Sequence, residues 1–153
     1  MCVNREVLAR YRRILWAFSL TGTLGFIFAN SLAPAAVSGA ESGALFLTLW
    51  QIFPCLTHAL VRKLAHLCEY ALLGAHLFFL PRLFPRSRGA KPLFFFLGLF
   101  VALSDEGIQS FVSGRSAELR DVLIDVLGYF LGALFVFIVL FMCRSFRKKR
   151  RGQ

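Results

Sequence analysis

The chain has 153 residues, 58% of them apolar and 15% aromatic, with a mean hydropathy of +0.66. This is too hydrophobic and too short for an ordinary soluble domain plus a separate anchor, and it reads as one small polytopic membrane domain. The net charge of +10 does not mark a nucleic-acid binder, because the basic residues stand in short clusters between long apolar runs rather than along one amphipathic face.

The first expected span runs from about Ile14 to Ala33, since roughly 20 apolar residues at about 1.5 Å each cross about 30 Å of hydrocarbon. Arg5, Arg10, Arg12 and Arg13 precede it and small residues follow from Ala33 to Ala36, which is also the layout of a signal peptide. Its apolar stretch is at the upper end for such a peptide, so a retained helix is expected. Gly43 to Leu60 is nearly as apolar but carries Gln51, Pro54 and His58. Counting it as a span would put the loop from Arg82 to Lys91 opposite the basic N-terminus. It is therefore expected to be an external helix at the membrane interface, with Ser42 as N-cap and Leu45, Leu49, Ile52 and Phe53 facing lipid or the bundle.

The remaining spans are expected at about Val61 to Leu80, Pro92 to Val112 and Asp121 to Cys143. The expectation is an all-α membrane protein: four transmembrane helices, an external interfacial helix between the first and second, and residues 1–153 forming a single domain. Four spans put 14 of the 18 Lys and Arg on one side, in the N-terminal segment, the loop of Arg82, Arg86, Arg88 and Lys91, and the tail from Arg144 to Arg151. By the positive-inside rule both termini are then cytoplasmic.

Ionisable groups within such stretches are costly and mark working sites. In the second span Arg62, His66 and Glu69 fall at i, i+4 and i+7, one helix face, with Lys63 beside them and Leu73 continuing below as an apolar floor. Asp105 and Gln109 are four apart in the third, with Glu106 turned by about 100°. Asp121, Asp125, Gly128 and Gly132 share a stripe of the fourth, where the glycines allow close helix packing. Counting about 1.5 Å per residue from the helix ends places all three polar patches in the outer half of the membrane. Arg115, in the external loop Ser113 to Arg120, stands at the rim.

These residues lie in the stretches Arg62-Lys63-Leu64-Ala65-His66-Leu67-Cys68-Glu69-Tyr70, Asp105-Glu106-Gly107-Ile108-Gln109-Ser110-Phe111-Val112-Ser113-Gly114-Arg115 and Asp121-Val122-Leu123-Ile124-Asp125-Val126-Leu127-Gly128. In order and spacing they resemble the RK-x-x-H-x-x-EY, DE-x-x-Q-x-F-x-x-GR and D-x-x-x-D-x-x-G elements of the VanZ-like family. Asn30, Ser31, Ser38 and Ser42 resemble the serine-punctuated segment that follows the first helix in such proteins. One departure is Gly107 with Ile108, where the family often has another residue followed by His. The resemblance implies a small integral membrane protein of the bacterial cytoplasmic membrane, in a family named for a protein associated with teicoplanin resistance. It does not carry a reaction.

The residues themselves leave several roles open. Arg62, Lys63 and Arg115 suit a phosphate or carboxylate, Arg offering bidentate contacts, so a membrane lipid or lipid-linked envelope precursor is the expected partner. His66, Glu69, Asp105, Glu106, Asp121 and Asp125 are candidate acids and bases for an intramembrane hydrolase or transferase. The same set can be a purely structural charge network or a surface for a protein partner. His66 and Glu69 have a spacing that lets both face one metal. However, neighbouring Arg and Lys can neutralise the acids without an ion, so neither metal nor cofactor is expected. Cys2, Cys55, Cys68 and Cys143 share no CxxC or CxxH spacing, and neither a disulfide framework nor a zinc site is indicated. Ser113 and Ser116 lack a Ser-His-Asp pattern, and His58 and His76 lie outside the polar cluster. An ion conductor is disfavoured because Leu131 to Phe141 offers no ionisable group.

Overall fold

The computed structural model describes residues 5–84 and 91–151. These form five helices: α1 Arg5–Leu32, α2 Ala35–Trp50, α3 His58–Leu83, α4 Lys91–Gln109 and α5 Leu119–Arg151. Among the described residues, three stretches are long and apolar enough to cross a membrane: Glu6–Leu32, His58–Pro81 and Leu119–Arg147. The basic loop residues Arg86 and Arg88, and the side chains of Ser42, Leu45, Arg82 and Lys91, lie outside what is described.

The helix boundaries follow local chemistry. The helix expected from Gly43 to Leu60 instead starts at Ala35 and stops at Trp50, so Ser42 lies within it and Pro34, at φ −55° and ψ 151°, occupies the N-cap. Proline is tolerated there because the first helical amides have no intrahelical partner. The helix then gives way to turns around Pro54, which has no N–H to continue it. Leu49 is half-buried while Ile52 and Phe53 are exposed. α3 restarts behind Thr57, whose hydroxyl accepts a hydrogen bond from the Leu60 amide at 3.2 Å. Replacing Thr57 by Ala is expected to cost about 1 kcal/mol, measurable as a lower unfolding midpoint in mild detergent. α4 ends at Gln109, three residues short of the expected limit, where the chain enters turns in which Gly114 takes a positive φ of 77°. That conformation favours glycine.

Cross-helix contacts give the directions. Arg62 meets Asp121 and His66 meets Asp125. Farther along, Gly128 abuts Leu67 and Gly132 abuts Ala71. The numbering rises together, so α3 and α5 run parallel. Asn30, close to the end of α1, meets Glu69, whereas Trp16 and Ser19, earlier in α1, meet His76 farther along α3, so α1 is antiparallel to α3. Glu106 meets Glu118 and Phe94 meets Tyr129, so α4 is antiparallel to α5. The ends of α1 and α4 and the starts of α3 and α5 therefore share one end of the bundle. The Ala35 amide donates to the Ser113 carbonyl at 3.3 Å, joining α2 to the loop between α4 and α5 at that end.

The α3–α5 contact is unusually close. A Cβ at Gly132 would collide with the Ala71 carbonyl, one at Gly128 with the Leu67 carbonyl, and one at Gly74 with the Tyr129 carbonyl. Such backbone-to-backbone approach is how apolar helices gain van der Waals contact where lipid removes any hydrophobic drive between them. Ile27, Tyr70, Leu73, Leu77, Val101, Ala102 and Tyr129 make the apolar core. Large apolar side chains also cover the outside, with Phe18 75% and Phe135 67% exposed, while Asp105, Gln109 and Asp125 are sealed within. This inversion of the usual arrangement suits a lipid surround.

The two histidines expected to lie outside the polar cluster tie helices together, and one of them, His58, also lines the cavity beside Arg62. The His76 ring lies 2.7 Å from the Ser19 hydroxyl, and its carbonyl accepts from the Trp16 indole at 3.2 Å. His58 stacks on Phe46 of α2 at 3.8 Å.

Candidate functional site

Each polar residue singled out by spacing lies at the end shared by α1, α3, α4 and α5, arranged as a rim above a sealed chamber. At the rim, Arg62 Nη2 lies 3.1 Å from Asp121 Oδ2 and Lys63 Nζ 4.0 Å from Asp121 Oδ1. Asp121 is buried in the first turn of α5, where the helix dipole favours a carboxylate. Arg62 and Lys63 are each about two-fifths exposed and can keep part of their charge hydrated.

Beside this pair is a cavity of about 240 Å³ lined by residues of α2 and α3 and by the turn after α4, including Ser38, Gly39, His58, Arg62 and Arg115. Partial burial and the nearby Arg62 guanidinium lower the Arg115 pKa from its ordinary value. Two guanidinium groups facing one cavity repel each other, and an anion between them relieves that repulsion.

Deeper, the acids separate by partner. Glu69 accepts a hydrogen bond from Asn30 Nδ2 at 2.8 Å. Glu106, displaced around α4 from Asp105, accepts from the Glu118 amide at 2.8 Å and so stitches α4 to the start of α5. The Ser31 hydroxyl lies within hydrogen-bond reach of both Asp105 and the Ile27 carbonyl, which share its single proton. At the centre His66 Nδ1 sits 3.3 Å from Asp125 Oδ1 and 3.8 Å from Asp105 Oδ2. Neither Asp125 oxygen makes a hydrogen bond of normal geometry, and the buried side chains of Gln109 and Tyr70 also lack one.

The structure thus gathers His66, Asp105 and Asp125 from three helices and assigns Glu69 to Asn30 instead, so the His66–Glu69 pairing suggested by spacing is not the central one. Leu73 is the buried floor beneath His66 and Glu69. Asn30 and Ser31 are direct partners of two site acids, a role that helical spacing could not supply because they sit on another helix. Their one sequence signal is two polar residues closing a long apolar run. Tyr70 is fully buried against the same acids, and Glu118 contributes through its backbone. Ser113 and Ser116 are exposed, with Ser113 engaged through its carbonyl.

Chemically, the rim can hold an anion, and the chamber can hold a proton or a cation among closely spaced carboxylates. A family model described as VanZ/LLP1 matches residues 15–141, a range that includes every residue of the rim and chamber. No curated protein and no solved structure matches the chain.

Proposed function

The chain belongs to the VanZ/LLP1 family and is a multi-pass membrane protein, and from that premise we propose that the cavity between Arg62 and Arg115 receives the phosphate or carboxylate of an amphiphilic cell-envelope component. In this reading α4 is a fourth span of the bacterial cytoplasmic membrane and α2 an external interfacial helix. Both termini are cytoplasmic and the polar end opens to the outer leaflet. Arg62 and Arg115 grip the head group while the apolar flanks of α2 and α3 accept its chains. Binding a lipid-linked wall precursor in this way would lower sensitivity to a membrane-anchored glycopeptide such as teicoplanin.

The observation that carries the reading is the pair of guanidinium groups lining one cavity at the polar end of the bundle. Teicoplanin susceptibility of a sensitive Gram-positive host tests it. Wild type is expected to protect and Arg115→Glu to abolish protection at equal membrane abundance. In vitro, that reversal should weaken binding of an anionic lipid by about tenfold or more, the equivalent of one charge-assisted hydrogen bond. Equal protection by both proteins, or by neither, would remove the proposal.

A second reading, an intramembrane hydrolase or transferase, is favoured by the close approach of His66 to Asp125 and Asp105. It requires the chamber acids to act on the bound head group. A His66→Gln variant would then bind lipid normally but fail to turn it over.

A further inference from the structure

We propose that His66, Asp105 and Asp125 form a binding site for one divalent transition-metal ion of the Zn²⁺ or Mn²⁺ class. Three helices each supply one donor, and a donor atom from every residue lies within 4.8 Å of the others. The His66 Nδ1 separations, 3.3 Å to Asp125 and 3.8 Å to Asp105, bracket the spacing of about 3.4 Å that ligands take around a tetrahedral ion with bonds of about 2.1 Å. Small side-chain rotations complete the fit.

The hydrogen-bond inventory points the same way. A carboxylate inside the bundle needs several donors, yet Asp125 is completely buried, neither of its oxygens makes a hydrogen bond of normal geometry, and the donor facing it is the His66 ring at 3.3 Å. The sequence suggested that Arg and Lys neutralise the acids, but Arg62 and Lys63 are committed to Asp121 at the rim. Glu69 has Asn30 and Glu106 has the Glu118 amide. The central group is left to balance two carboxylates with a single imidazole. A protonated His66 would leave one negative charge, whereas a neutral His66 with a divalent ion gives a neutral set, the cheaper state in a dry interior.

Donor type selects the metal class. One imidazole nitrogen with carboxylate oxygens suits Zn²⁺ or Mn²⁺ better than soft Cu(I), which prefers thiolate, or Ca²⁺, which prefers oxygen alone. Support around the ligands is already built. The Ser31 hydroxyl holds the far oxygen of Asp105, leaving its Oδ2 toward His66, the kind of outer partner that orients a ligating carboxylate. Three protein ligands leave a further coordination position for an oxyanion or water.

This site stands apart from the amphiphile reading, since it uses none of the rim residues and needs no lipid. The test uses the full chain, purified in detergent, stripped with chelator and titrated with ZnCl₂ or MnCl₂. Bound metal is measured by elemental analysis after gel filtration, with thermal unfolding alongside. The expected result is one ion per chain and a raised unfolding temperature, both lost in His66→Gln and in Asp125→Asn. Both should be retained in His76→Gln, which removes an imidazole at the other end of the bundle. If Asp125→Asn does not fold, His66→Gln and the wild-type stoichiometry decide the matter. Wild type that takes up no stoichiometric ion, or stoichiometric uptake that persists in His66→Gln, overturns the site whatever the lipid experiments show.

Discussion

Gly132→Ala is expected to lower the stability of the bundle by about 3 kcal/mol, at the upper end of overpacking costs, and to cut the yield of folded protein from the membrane. The added methyl meets the Ala71 carbonyl, and a backbone atom cannot turn aside as a side chain can. The α3 and α5 backbones must therefore separate, which also loosens the neighbouring approach of Gly128 to Leu67. Because the two helices run parallel, separation at Gly132 pulls His66 away from Asp125 and Arg62 from Asp121. Gly25→Ala is the matched control, since nothing lies within 4 Å of a Cβ built there and alanine is the better helix former. Unfolding by graded denaturing detergent gives both values. Equal midpoints for the two variants would mean that the close approach does not hold the bundle together.

The Arg62–Asp121 pair should respond asymmetrically to loss of either partner. Arg62→Leu strands a carboxylate whose side chain is 3% exposed, with Lys63 at 4.0 Å the one cation left in ion-pair reach among the described residues. Breaking a buried pair in this way costs about 3 kcal/mol. Asp121→Asn leaves Arg62, at 40% exposure, free to turn its head to water, and the cost should fall to about 1 kcal/mol or less. The double change Arg62→Leu with Asp121→Leu should recover much of the loss, since no buried charge is left without a partner and Lys63, 38% exposed, can turn to water. The same unfolding assay ranks the three, and a larger loss for Asp121→Asn than for Arg62→Leu would show that the guanidinium is the more deeply committed group.

The spacing of polar residues within apolar runs made the faces of α3, α4 and α5 readable. Only a helix brings Arg62, His66 and Glu69, or Asp121 and Asp125, to one side, and lipid makes such a side conspicuous. Alternating the direction of successive apolar runs also made readable that the polar ends of α3, α4 and α5 coincide, and the cross-helix contacts give those relative directions. What the pattern could not give was the pairing between helices. Nothing in the period of α3 says that Glu69 turns to Asn30 while His66 turns to Asp125. That choice depends on where α1 and α5 stand, and on glycines whose effect appears only when a second backbone lies against them. The start of α2 was missed because Ser42 offers a side-chain cap and Pro34, the residue that precedes the helix, does not. Side-chain capping is only one way to open a helix, and proline's fixed φ is another.

Leu73, Leu77, Val101 and Tyr129 belong to the apolar core that the polar residues share, and none of the four carries a charge. On the proposed reading, a head group that enters between Arg62 and Arg115 therefore has to leave by the same doorway, and a tightly held decoy should silence the protein as fully as a broken site.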